Sequence, residues 1–466
     1  MAIAINPKLT AQSLVPKIER LFELSAGKIL NLEKTWCPAQ GTPVFTARGK
    51  YTTRGWTEWT QGFQCGSALL QFDATGDQQF LNLGRRQTFE RMAAHVSHIG
   101  VHDHGFNNLS TYGNLWRLAR EGKIPANEPE RAFYELALKV SGAVQAARWT
   151  HTAEGRGYIY SFNGPHSLFV DTMRSLRSLA VAHQLGHVLM GERDQRISLL
   201  QRLVDHAETT ARSNIYYGEG RDAYDVPGRT AHESIFNPHD GTYRCPNSQQ
   251  GYSPFSTWTR GLAWAILGFA EQLEFFADAR FPAGELSRRA VRSAVEIMLR
   301  AATATAEFYL AQSCADGLPM WDTSAPNLHR LGDHLNRPAN PFNAWEPVDS
   351  SAAVIAAQGL VRLGNYLARA DDKRKGARYR QAGLTVANTL FDEPYLSTSP
   401  KHQGLLLHSV YHRPNGWDYV APGQKVPNGE SSMWGDYHAR ELALLLLRET
   451  RGERYLTFFD PEAKNH

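Results

Sequence analysis

From residue 11 onward, apolar positions fall three and four apart. Between Ala11 and Leu32 this spacing puts Leu14, Ile18, Leu21, Phe22, Ile29 and Leu32 on one helical stripe, with charges between them. The same period predicts further helices at roughly 60–74, 79–97, 107–120, 129–149, 168–188, 191–211, 256–276, 284–312, 348–368, 373–391 and 435–449. None carries a strict period-two run. Turn chemistry separates neighbours. Thr75-Gly76-Asp77 ends one helix and starts the next, because glycine closes a helix in the left-handed conformation and an acidic residue suits an N-terminus. Gly191-Glu192-Arg193-Asp194 reads the same way.

Taken in pairs, these helices form hairpins. Ala352 to Leu363 and Leu442 to Leu447 are apolar on more than one face, as suits helices held between an inner and an outer layer. The expected fold is all-α: an (α/α)6 barrel of six helical hairpins, in a single domain spanning residues 1–466. No fixed-period repeat supports a solenoid, and no Pro/Gly/Ser-rich linker divides the chain. Long loops at 150–166, 212–255, 313–347 and 392–434 are rich in Gly, Pro, His, Asn and aromatics, and are expected to form the functional face.

Composition narrows the classes. Hydrophobic residues make up 42% of the 466, and 50 Lys+Arg against 46 Asp+Glu leave a net charge of +4. That excludes a disordered chain and gives no clustered basic face for nucleic acid. The four cysteines form no CxxC pair, which points to a reducing compartment. No apolar run reaches the roughly 18 residues of a membrane span, and the first residues lack a secretory pattern. The expectation is a cytoplasmic monomer or homodimer. Trp (11) outnumbers Met (7), which composition alone assigns to an aromatic core.

Three clusters carry candidate chemistry. His102-Asp103-His104-Gly105-Phe106 follows His95 and His98. This set fits a carboxylate oriented by histidine, a loop hydrogen-bond network or a metal site, though its spacing matches no standard zinc pattern. Asp171, placed inside the 168–188 helix, must be paired or perturbed, and Arg174 at i+3 is the obvious ion-pair partner. Around Gln250, Ser256 or Thr257 can cap a helix whose first turns carry Trp258, Arg260 and Trp264. An arginine fork beside flat indoles at a helix N-terminus describes a sugar-acid site, or else core tryptophans with an arginine lying along them. No nucleotide-binding or kinase signature is present.

Together these segments resemble the unsaturated glucuronyl hydrolases, glycoside hydrolase family 88, over residues 50–445. The resemblance rests on Trp59-Thr60-Gln61-Gly62-Phe63, the 102–106 run, Asp171-Thr172-Met173, the Gln250–Trp264 block, Pro319-Met320-Trp321-Asp322, Asp349-Ser350-Ser351-Ala352-Ala353 and Trp434-Gly435-Asp436-Tyr437. It implies an (α/α)6 barrel that removes a terminal 4,5-unsaturated uronic acid from lyase-generated oligosaccharides, with no metal or organic cofactor. Asp171 would be the general acid/base, its carboxyl raised by burial, and Asp103 an ionised aspartate stabilising positive charge. Trp59, His102, His232, Gln250, Trp258, Arg260, Trp264 and Ser350 would hold an oligosaccharide with an acidic terminal sugar. The chain departs from the family pattern at Pro254-Phe255, at Leu262 and at Arg174 and Arg177. A conventional glycosidase using Asp103 and Asp171, and a sugar epimerase using His232 and His408, are the alternatives on the same barrel.

Overall fold

The computed structural model describes residues 3–55, 58–278 and 285–459. Twelve helical segments among them build the molecule. The outer ones are α1 (Ala11–Thr35), α3 (Gln78–Arg91), α5 (Glu128–Ala147), α7 (Leu199–Ser213), α9 (Arg288–Gln312) and α11 (Lys373–Leu390). The inner ones are α2 (Gln61–Thr75), α4, α6, α8 (Thr259–Asp278), α10 (Ser350–Arg369) and α12 (Met433–Thr450). α4 is composite: His104–Asn108, a π turn Leu109–Gly113, then Asn114–Arg120. α6 joins Thr172–Ser175 to Arg177–Gln184.

Each inner helix packs on the next, and α12 returns to α2, closing the ring. This is the (α/α)6 barrel that the helical period predicts. Because inner helices touch neighbours on all sides, their apolar residues run around the cylinder; Ala352 to Ala357 of α10 are all fully buried. Close approach is part of the sequence. A Cβ on Gly105 would lie 2.3 Å from the Ser175 carbonyl oxygen, so only glycine lets α4 and α6 meet there.

Local signals hold at some turns and fail at others. Gly76 adopts φ 74° and closes α2, and the Asp77 side chain accepts from Gln79 N to start α3. Gly191–Asp194 does not link two helices. It is the turn of a short hairpin pairing Leu189–Met190 with Arg196–Ile197, and α7 begins only at Leu199. The predicted 168–188 helix likewise starts as a strand. β1 (Ser167–Phe169) pairs with β2 (Glu233–Phe236), which pairs with β3 (Tyr243–Asn247). Asp171 therefore sits at the N-terminal boundary of α6 rather than inside a helix. The start predicted at 284 lies outside the described residues.

That small sheet positions the functional face. β1 ends two residues before Asp171, β2 starts just after His232, and β3 ends two residues before Gln249. Val170 N donates to the His232 carbonyl at 2.9 Å, locking two of these segments together.

Candidate active site

A pocket opens where the inner helices begin. Trp59 precedes α2, His102 and Asp103 precede α4, Asp171 precedes α6, Trp258 precedes α8, and Arg260 and Trp264 lie in its first two turns. Convergent helix N-termini bring partial positive charge to this end, which favours an acidic ligand.

His102 stands between the two aspartates. Its Nε2 lies 3.2 Å from Asp171 Oδ1, as hydrogen-bond donor, and 3.7 Å from Asp103 Oδ1. Both aspartates are 7% exposed. Burial alone would raise the Asp171 carboxyl. The hydrogen bond and charge of His102, helped by His232 and Arg260, outweigh it and hold Asp171 below the usual value. Asp103 moves the other way: burial pushes it up and the Asp171 charge adds to this, against the pull of His102. Burial disfavours the His102 cation, but Asp103 and Asp171 together raise its proton affinity. In the free site the two carboxyls therefore shift opposite to the expected order. Asp171 is the depressed carboxylate and Asp103 the elevated one, because His102 donates to Asp171.

Arg174 does not pair with Asp171. It bonds Glu271 and, at 2.7 Å, Glu441, deeper in the barrel. His104 also leaves the pair, contacting Ser141 Oγ at 3.0 Å and the His98 carbonyl at 3.0 Å. Among the described residues no group of three or more His, Cys, Asp or Glu is arranged to hold a metal ion.

Arg260 is a buried organiser. Its guanidinium reaches Asp349 Oδ2 at 3.2 Å, the Tyr411 carbonyl at 2.7 Å and the Val410 carbonyl. It also donates to Gln250 Oε1 at 2.9 Å, which leaves the Gln250 NH2 as the group available to a ligand. Asp349 caps α10 through Ser351 N and Ala352 N while pairing with Arg260. Ser256 and Thr257 do not cap α8: Ser256 Oγ lies 2.9 Å from Asp322, and Thr257 Oγ1 accepts from Thr230 N.

His232 does not line the pocket. It stands behind Trp258, with ring centroids 4.7 Å apart, and its Nδ1 accepts from Gln249 N at 3.0 Å. That fixes the proton on Nε2, and burial lowers its pKa to about 3, so the ring is neutral. Trp59 stacks on Trp434 at 5.0 Å, and Trp264 packs on Phe106 at 4.9 Å. The Arg260 guanidinium covers the Trp258 ring at 4.5 Å, so that indole acts as wall. Ser350 is fully buried, with its hydroxyl 3.3 Å from that of Ser409, and is not among the lining residues. Sequence reasoning named Gln249 beside Gln250 but missed Val101, Phe162, Tyr411, His412 and Trp417, which complete the lining. The aromatic density of the 392–434 loop was the available signal for the last three.

An α/α barrel with two aspartates about one histidine, between aromatic walls, is defined by this geometry. No protein-family model matches the chain. It is 25% identical over 424 residues to the unsaturated glucuronyl hydrolase of Bacillus sp. strain GL1, covering 88% of this chain and 92% of that protein. It is 22% identical to an unsaturated chondroitin disaccharide hydrolase of Streptococcus agalactiae, covering 84% and 82%. The crystal structure of the Bacillus sp. GL1 unsaturated glucuronyl hydrolase superposes with a TM-score of 0.67 at 23% identity, over 94% of this chain and 96% of that one. In sequence and fold the chain is unsaturated glucuronyl hydrolase-like.

Proposed function

We propose that this protein is a glycoside hydrolase that removes a terminal 4,5-unsaturated uronic acid from lyase-generated oligosaccharides. The observation that carries the reading is the Asp103–His102–Asp171 cluster in a pocket built at helix N-termini. Similarity to hydrolases of unsaturated glucuronyl and chondroitin substrates supports it.

The chemistry is hydration of a vinyl ether. We take the mobile proton of the free site to rest on His102, whose proton affinity Asp103 and Asp171 raise, with Asp171 as its charged partner. A bound uronate brings a second negative charge and expels water, and both effects raise the proton affinity of Asp171. The proton then crosses the 3.2 Å hydrogen bond from His102 to Asp171. Asp171 delivers it to C4, generating an oxocarbenium-like centre at C5. Water adds to C5 and loses a proton to the Asp171 carboxylate, and the hemiketal opens to release the remaining sugar. Asp103, 3.7 Å from the same nitrogen, sets how tightly His102 holds its proton. Arg260 fixes Gln250 as a donor to the sugar, Trp59 and Trp264 shape the wall, and His232 supports Trp258 and the 249–250 backbone.

A conventional glycosidase needs its two carboxylates on opposite sides of the scissile bond. Here the two carboxylates stand 3.2 and 3.7 Å from one imidazole nitrogen, and turnover of a saturated glycoside would favour that alternative. The whole chain acts as one catalytic domain, as a monomer or homodimer. Among the described residues no helix is long and apolar enough to cross a membrane. Four free cysteines, two of them exposed, favour the cytoplasm.

The test is incubation with lyase-generated oligosaccharides while following the ultraviolet absorbance of the C4=C5 bond. Loss of absorbance together with sugar release is expected. Sugar release with the absorbance retained would overturn the mechanism.

A further inference from the structure

With the terminal sugar in this pocket, the rest of the oligosaccharide lies outside it. One segment of the mouth both starts and ends at the pocket. Gln250 and Trp258 line the cavity, and the turn between them exposes Tyr252 and Phe255. Asp322 ties this turn at its base: its Oδ2 accepts from Tyr252 N at 2.9 Å and lies 2.9 Å from Ser256 Oγ. Asp322 also bridges to Trp258, so the turn is anchored to the pocket wall.

The crest of this anchored turn is aromatic and exposed. Tyr252 is 50% and Phe255 44% exposed, and the Tyr224 ring (57%) packs tilted against Phe255 with centroids 5.1 Å apart. Exposed aromatics of this size on a braced support mark a binding surface more often than chance. Phe255 is also where the sequence departs from the family pattern, as Ser253-Pro254-Phe255.

Charge settles which sugar such a surface suits. Arg229 lies beneath it, but its guanidinium is turned inward, to Asp222 at 2.6 Å and the Phe255 carbonyl at 3.0 Å. Arg221 is bonded to the carbonyls of Arg212 and Ser213. These arginines brace the loop instead of presenting charge to a sulfate or carboxylate.

We infer that Tyr252, Phe255 and Tyr224 form a distal subsite that stacks on the apolar face of an uncharged, unsulfated sugar on the reducing side of the residue in the pocket. The inference rests on the pocket being an unsaturated-uronate site. The ledge is continuous in sequence with the lining residues Gln250 and Trp258, and ring stacking recognises a sugar face without any charged group.

The experiment compares kcat/KM for an unsaturated disaccharide and an unsaturated tetrasaccharide with neutral sugars, in the wild type and in a Tyr224→Ala/Phe255→Ala variant. The ratio of tetrasaccharide to disaccharide is expected to fall about tenfold, through KM, with Phe255→Trp restoring it. An unchanged ratio would overturn the subsite, whether both substrates slow equally or neither does. A sulfated tetrasaccharide binding better than the neutral one would also overturn it. If the wild type turns over neither substrate, the reading of the pocket has failed. Calorimetric titration with the tetrasaccharide then decides the ledge: weaker binding by the double variant supports it, and equal or absent binding refutes it.

Discussion

Two clusters of buried charge sit on the same inner helix and behave in opposite ways. At the start of α6, Asp171 shares His102 with Asp103. One and two turns further on, Arg174 and Arg177 enter a deeper cluster with Glu271 and Glu441, and Arg362 from α10 adds Glu274 at 2.7 Å. The deep cluster sets three arginines against three glutamates. Glu441 is held down to about 2: burial opposes this, but Arg174 and Arg177 outweigh it. Guanidinium keeps its proton at any ordinary pH, so no proton moves there. The pocket cluster has two carboxylates and one imidazole, and cannot satisfy every charge at once. The lesson is that matched buried charge builds the barrel, while under-matched buried charge leaves a proton free to transfer.

The sharpest way to break this contrast is to remove one member of each cluster. Asp171→Asn is expected to lower kcat by at least about 10³-fold with an unchanged thermal midpoint, checked by the ultraviolet assay and a melting curve. Arg174→Ala should do the reverse. Stranding Glu271 and Glu441 without their partner is expected to cost about 3–5 kcal/mol in denaturant unfolding, with activity per folded molecule largely kept. Loss of activity without loss of stability in that variant would erase the distinction.

pH separates the clusters next. His102 has a raised proton affinity, so the needed proton is present below its pKa and lost above it. The alkaline limb of kcat/KM is therefore expected above the ordinary histidine value of 6.5, falling about tenfold per pH unit. Asp171 is depressed, so its charge persists to below 3.8 and the acid limb lies under that value. In the deep cluster, stability from Glu441 is present above its unfolded value of 4.5 and is lost as pH falls toward 2. Glu441→Gln should flatten that part of the unfolding profile, measured by denaturant titration.

Smaller effects test the wall. Arg260→Lys removes the fork that holds Gln250 and the 410–411 carbonyls, and is expected to raise KM about tenfold with little change in kcat. Ser350→Ala is expected to change kcat/KM less than about twofold, because its hydroxyl faces Ser409 behind the wall.

The helices were legible because a 3.6-residue period is local information, and each of the twelve expected segments holds a helix, though the one expected from 191 begins only at Leu199. The strand at Ser167–Phe169 was not, since its apolar run continues the pattern of α6. Only pairing with residues more than sixty positions later decides it. The same distance hid the central hydrogen bond. Asp103 beside His102 is visible in the sequence, whereas Asp171 is brought to that histidine by the sheet and by glycine-permitted packing of α4 on α6. Ser350 was chosen from the right motif but one residue too far. Asp349, placed ahead of Ser350-Ser351-Ala352, caps the helix and holds Arg260, and its capping position was the readable clue. Tyr411, His412 and Trp417 lie on a loop with no period, so its aromatic density marked the loop without placing these residues at the pocket.

The most direct test of proton sharing at His102 is a single turnover in D2O, followed by NMR of the released uronate. The account expects one deuterium at C4 of the first-formed product, and loss of that transfer in both Asp171→Asn and His102→Gln. Sugar release with C4 unlabelled and the double bond intact would contradict it.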